Sequence, residues 1–214
     1  MSARRARVTG AARTAGAGDR GRALVHHGMM AEPERRRARY EDLYDIPEHH
    51  IGEIIAGELY TQPRPGVPHA RASSVLGAVL YDPFDSGGGG PGGWVVLDEP
   101  ELHLGADVLV PDLAGWRRER MPELPRDAAL TLAPDWVCEV LSPRTRAHDR
   151  VRKMPVYARE GVGHLWLVDP DAKLLEIYRL DGESYRSVGS HDGDARVRAE
   201  PFDAIELELG ALWR

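Results

Sequence analysis

Cysteine occurs once in this 214-residue chain, as Cys138, and lysine only twice, as Lys153 and Lys173. A lone cysteine cannot close an internal disulfide, and no CxxC pair or Cys/His cluster offers structural zinc ligands, so a reducing, cytoplasmic setting is expected. No run approaches about 18 uncharged apolar residues, which excludes a membrane-spanning helix and a membrane partner of that kind. With 42% hydrophobic residues the chain is too apolar to stay disordered and long enough for one substantial soluble core. The shortage of lysine is the unusual feature, because the other 26 basic residues are all arginine. Base composition favouring Arg codons accounts for the general trend. A lysine kept against that trend marks a position that needs a compact ammonium rather than any positive charge. Lys173 reads as a turn residue between strands, which leaves Lys153 to be explained.

Charge is unevenly spread. Residues 1 to 39 hold ten Arg against Asp19, Glu32 and Glu34, a net of +7, which leaves −13 for residues 40 to 214. The first 39 residues lack apolar periodicity and read as a basic, disordered arm. Met29 and Met30 also permit a start site downstream of the first residue, and a transit peptide would share the Arg-rich, acid-poor composition. Residues 40 to 214 read as one domain.

From Tyr40 the pattern becomes regular. YEDLYDIP predicts a short helix stopped by Pro47, and IGEIIAGELYTQ a hairpin turning at Ala56-Gly57. HARASSVLGAVLYD places Ala72, Val75, Leu76, Val79 and Leu80 on one helical face. SGGGGPGG lacks the Lys-Ser/Thr ending of a phosphate-binding loop and reads as a connector to a strand-like run, WVVLDEPELHL. ADVLVPDLAGW and APDWVCEVLSP are apolar on both alternations, as in central strands covered on both faces. TRAHDRVRKMPVYAREG predicts a helix closed by Gly161, followed by strands HLWLVDP and LLEIYRL and a closing edge meander. The fold class expected is α/β in the broad sense, an α+β mixed sheet with an amino-terminal hairpin and flanking helices.

Two carboxylates are set where an unpaired charge costs several kcal/mol, Asp112 late in one apolar strand and Glu139 near the end of another. Strand neighbours would bring them to one sheet end, where oxygen ligands suit a hard divalent cation; strand-end acids meeting solvent or arginine are the alternative. On the following helix Asp149, Lys153 and Tyr157 fall at i, i+4 and i+8, one polar stripe beside an apolar one of Val151, Met154 and Ala158. Arg144, Arg146, Arg150 and Arg152, with His148, form a local basic patch suited to phosphate contact or to a plain solvated face. Cys138 is expected to point into packed core, and Trp94, Trp116, Trp136 and Trp166 to be core rather than base-stacking platforms.

The strings GEIIAGELY, PHARASSVLGAVL, VLVPDLAGW and WVCEVLSPRTRAHDRVRKMPVYAREGVGHLWLVDP resemble, in order, the Uma family of restriction-endonuclease-like proteins, within the PD-(D/E)XK nuclease superfamily. The resemblance covers roughly residues 40 to 212. It implies a restriction-endonuclease-like core and a magnesium-dependent endonuclease, with manganese as a substitute, acting on nucleic acid and DNA first of all. Pro111-Asp112 would be the PD element and Glu139 the second acid. Asp112, Glu139 and the Val140 carbonyl would hold the metal. Leu141 stands where the general superfamily pattern has lysine, and that role passes to Lys153, which would position the attacking water. Glu53 and Glu58 match acids of the family hairpin and His69 a histidine opening its first long helix, so these join Asp149 and Tyr157 as accessory candidates. Pro155 is expected to kink the helix just after Lys153.

The acidic body argues against gripping duplex DNA, which favours positive charge. Two other readings therefore stand beside the nuclease: an inactive nuclease-fold protein serving as an interaction or regulatory module, and a nuclease whose substrate is RNA or single strands. A homodimer is the oligomer that base rates favour.

Overall fold

Ala56 and Gly57 both take left-handed backbone, with φ of 55° and 79°, which is what a two-residue hairpin turn needs to follow the twist of its strands. They join β1 (His50–Ile55) to β2 (Glu58–Pro63) in the register Ile55↔Glu58 through His50↔Pro63. A 3₁₀ turn, Tyr40–Asp45, precedes the hairpin. The computed structural model describes residues 36–214, so the basic arm expected over residues 1 to 39 lies, up to position 35, outside the described residues. Helix α1 (Val67–Leu80) opens with Pro68 in its first turn, where a missing N–H costs nothing. It buries Ala72, Leu76 and Leu80, while Val79 remains exposed at the edge of that face.

The next segment corrects the expected strands. WVVLDEPELHL is two strands, β3 (Trp94–Asp98) and β4 (Glu101–Leu104). ADVLVPDLAGW is also two, β5 (Asp107–Leu109) and β6 (Leu113–Arg117). β4 pairs with β5 and β3 with β6, so residues 94 to 117 form one antiparallel ribbon that leaves one sheet and enters another. The bend falls where Glu99-Pro100 lies opposite Val110-Pro111-Asp112, tied by one bond from the Glu99 amide to the Asp112 carbonyl, 3.1 Å. Each proline removes a ladder donor at the same level, which is why both arms break together. Asp112 thus sits at the bend between sheets and not late in a continuous strand.

After β7 (Ala129–Leu130), the central strand β8 (Trp136–Val140) is buried throughout. It runs antiparallel to β6 and parallel to β9 (His164–Asp169), and β10 (Leu174–Asp181) and β11 (Ser184–Asp192) extend that sheet to the order β11-β10-β9-β8-β6-β3. The second sheet has the order β2-β1-β5-β4-β7. A small ladder, β12 (Arg196–Val197) with β13 (Leu207–Glu208), closes the carboxyl-terminal part. This is the mixed α+β arrangement that the sequence predicts, with two large sheets in place of one.

Strand alternation separates two cores on the faces of the six-stranded sheet. Trp136, Cys138 and Val140 point to the α1 side with Trp94, Trp166 and Phe202. Val137 and Leu141 point to the other side with Trp116, Val156 and Tyr157. Glu139 shares the parity of Val137 and Leu141 and therefore faces the helix after β8. Each of the four strand tryptophans is at most 1% exposed, so all are core as expected. Cys138 is packed beside them, and burial pushes its thiol well above the usual range, leaving it inert as a nucleophile.

The helical segment after β8 is α2 (Arg146–His148), a π turn (Asp149–Lys153), and α3 (Met154–Arg159). Pro155 cannot donate to the Val151 carbonyl and crowds it, and the widened turn directly before Met154 accommodates that. The expected apolar stripe is corrected at Val151, which is 66% exposed, while Ala158 is buried and Met154 packs on the core; the polar stripe, Asp149, Lys153 and Tyr157, is turned inward as well.

Candidate active site

Where the ribbon bends, backbone groups of Val110 and Val140 lie beyond their ladders and need other partners. The registered β6–β8 pairs end at Leu113↔Cys138, and the Val140 amide donates instead to Asp112 Oδ2 at 2.7 Å. The Val110 amide donates to Glu53 Oε1 at 2.9 Å, and the Val110 carbonyl accepts from Lys153 Nζ at 3.3 Å. The seam between the sheets is thus closed by side chains, and these are the charged residues that the sequence singles out.

Lys153 is the hub. Its ammonium lies 2.9 Å from Glu53 Oε1, 3.1 Å from Glu139 Oε2 and 3.7 Å from Asp149 Oδ1. Tyr157 donates to Glu139 Oε1 at 2.6 Å, so both oxygens of that carboxylate are engaged. Glu53, Glu139, Asp149 and Lys153 are 1%, 2%, 2% and 4% exposed. Across the seam His69, in the first turn of α1, places Nε2 3.2 Å from Asp112 Oδ1, and its buried Nδ1 has no partner among the described residues. His148 holds the remaining side of Glu53, Nε2 to Oε2 at 3.3 Å.

The cluster carries more acid than one lysine neutralises. Burial pushes the Glu139 carboxyl well above the usual carboxylate range, and although Lys153 opposes this, Asp149, Asp112 and Glu53 push it further up. Asp149 is raised in the same way, by burial first. Glu53 differs: burial opposes its charge, yet Lys153, His148 and the Val110 amide together hold its carboxyl below the ordinary value. Burial likewise works against the Lys153 charge but is outweighed by Glu139, Glu53 and Asp149, so the lysine stays an ammonium.

The expected residues divide clearly. Asp112, Glu139, Lys153, Glu53, His69, Asp149, Tyr157 and Val140 come together. Glu58 does not join them: it begins β2 on the exposed side and accepts from Tyr60. Of the basic patch, Arg146 is paired with Asp169 and Arg150 with Glu176, leaving Arg144 and Arg152 exposed and without an ion pair among the described residues. Pro155 does not carry Lys153 away from the acids. His148, which the sequence places in the surface patch, lies against Glu53, its ring 4.7 Å from that of Tyr60 and tilted at 55° to it. A neighbouring Asp149 gave no signal of that burial.

A pocket of about 620 Å³ opens onto the cluster, lined among others by Glu53, Asp112, Glu139, His148, Asp149 and Lys153. Among the described residues no three His, Cys, Asp or Glu side chains form a ready-made metal cage. The donors nonetheless fit magnesium, which takes hard oxygen ligands, is bound through one or two carboxylates, and keeps water or substrate oxygens for the rest. Unbalanced carboxylates beside a raised Glu139 are the second point of fit, because a cation would supply the charge that Lys153 alone does not.

No curated protein matches the chain. Among solved structures, a "putative nuclease belonging to DUF820" from Anabaena variabilis ATCC 29413 has the same fold, with a TM-score of 0.65 at 22% identity over 81% of this chain and 96% of that one. This supports a restriction-endonuclease-like fold. The family model described as "Uma2: Putative restriction endonuclease" matches residues 37–210, and the chain belongs to that family.

Proposed function

We propose that the protein is a magnesium-dependent endonuclease hydrolysing phosphodiester bonds of nucleic acid, DNA in the first instance. The observation that supports this most is a buried, open-mouthed cluster holding three carboxylates around one lysine at the seam of two sheets, with Asp112 lining the same pocket. Asp112, Glu139 and the Val140 carbonyl would hold the metal, which supplies electrophilic assistance to the scissile phosphate and makes water a stronger nucleophile. Lys153 hydrogen-bonds and orients the attacking water while its charge offsets that developing on the phosphate. Glu53 and Asp149 fix the ammonium from two sides, so little reorganisation is needed during reaction. Tyr157 holds Glu139 in one rotamer, and His69 with the Val140 amide does the same for Asp112.

The test is cleavage of labelled polynucleotides by the purified chain and by Asp112→Asn, with magnesium, with manganese and with chelator. Magnesium-dependent products from the parent alone support the reading. Equal cleavage by both proteins, or none under any condition, sinks it and leaves a non-catalytic interaction module.

A further inference from the structure

The route to the buried acids restricts what can reach them. A scissile phosphate must approach side chains that are 1 to 4% exposed, through a recess of about 620 Å³. Double-stranded DNA resists bending toward such a recess, at a cost of about 1 to 6 kcal/mol for a bend of 40 to 90°, whereas an unpaired strand bends at every nucleotide.

The pocket wall has the features that hold single strands, an aromatic face interleaved with arginines. Tyr60 lines the pocket with its ring tilted at 55° against His148, and the Arg152 guanidinium lies 6.0 Å over the same ring. Arg64 on the hairpin side and Arg144 on the opposite loop both line the pocket and are exposed. The only acid close to Arg64 among the described residues is Glu99, at 3.9 Å, and Arg144 makes no ion pair among them. By contrast Arg146 and Arg150 are committed to Asp169 and Glu176, which shrinks the surface that would grip a duplex. The net charge of −13 over residues 40 to 214 works in the same direction, because duplex affinity rests on many phosphate contacts.

We propose that the substrate is a single-stranded polynucleotide, with flanking phosphates on Arg64 and Arg144 and a base stacked on Tyr60. This rests on the phosphodiesterase reading above and names its substrate class. DNA and RNA strands share the chemistry that the pocket addresses, and separate arms of one experiment distinguish them.

The full chain carrying Glu139→Gln is titrated by fluorescence polarisation with a labelled DNA strand, the RNA strand of the same sequence, and the corresponding duplex. The parent is assayed for cleavage of all three with magnesium. An unpaired strand is expected to bind at least about tenfold more tightly than the duplex, and Tyr60→Ala to weaken it about tenfold, with Tyr60→Phe retaining affinity. Arg64→Gln with Arg144→Gln should flatten the plot of log affinity against log salt by about 1.4, two single-strand phosphate contacts. Arg64 and Arg144 are exposed and Tyr60 is half-buried against the core, so circular dichroism of each variant verifies its fold. Preference for either unpaired strand supports the proposal and the ratio reports the sugar. Duplex bound and cleaved as well as single strands overturns the substrate class but leaves the phosphodiesterase standing. No cleavage of any polymer overturns the phosphodiesterase itself.

Discussion

In Lys153→Met the side chain keeps its length and loses its charge, leaving Glu53, Glu139 and Asp149 in a buried seam without their ammonium. Removing one partner of a buried ion pair costs about 3 to 5 kcal/mol. Glu139 and Asp149 are already pushed toward the protonated form, so they can shed charge by taking up protons, and the loss should lie near the lower bound. About 3 kcal/mol corresponds to a fall in Tm of roughly 6 to 12 °C for a body of this size. The pH dependence has a definite sign. Glu53 is held low largely by Lys153; without it, burial raises the Glu53 carboxyl above its unfolded value. A carboxyl raised in the folded state favours folding below its unfolded pKa, and that benefit is lost as pH rises through the folded pKa. The deficit relative to the parent should therefore be smaller at pH 5 than at pH 8. Chemical denaturation of both proteins at the two pH values measures it. A loss under about 1 kcal/mol, as for a surface pair, or a deficit that widens in acid, would refute the hub role of Lys153.

Three further changes probe other parts of the account. Glu139→Gln can turn its carbonyl to Lys153 and its amide N–H to the Tyr157 oxygen while removing surplus negative charge, so it should raise Tm by about 2 to 4 °C, equivalent to about 1 kcal/mol, and abolish cleavage; a lower Tm would show that the cluster is not overloaded with acid. Gly115→Ala puts a Cβ 3.1 Å from Trp136 and 3.3 Å from Trp94, which should cost about 1 to 3 kcal/mol by overpacking, read by urea unfolding. Ala56→Asn places a residue tolerant of left-handed backbone at φ 55°, and a gain of about 0.5 to 1 kcal/mol is expected in the same assay.

Much of the site was legible because its residues break local rules. Asp112 and Glu139 are charges set in apolar segments, and Lys153 is a lysine where arginine is the habit. Their convergence needs β6 beside β8, which two-sided apolar patterns allow but do not dictate. Glu53 and Glu58 look alike in sequence, but the turn at Ala56-Gly57 and the pairing of β1 with β5 bury the first and leave the second at the edge. The split of each long run was signalled by Pro100 and Pro111, and only the ribbon register shows that they act at one level. On the helix, the apolar rule failed at Val151, because the inward positions of its first turns, Asp149 and Lys153, meet acids, and only the later turn reaches aliphatic core. Arg146 and Arg150 looked free since their partners, Asp169 and Glu176, lie more than 20 positions away and on other strands.

The central claim is that the acid cluster around Lys153 performs metal-dependent phosphodiester hydrolysis. Single-turnover cleavage of a labelled oligonucleotide, followed across a magnesium titration for the parent and Glu139→Gln purified in parallel, tests it most directly. A rate that saturates with magnesium in the parent, returns to baseline with chelator and is absent in Glu139→Gln is the expected result. Cleavage that ignores magnesium, or that survives in Glu139→Gln at the parental rate, would contradict it.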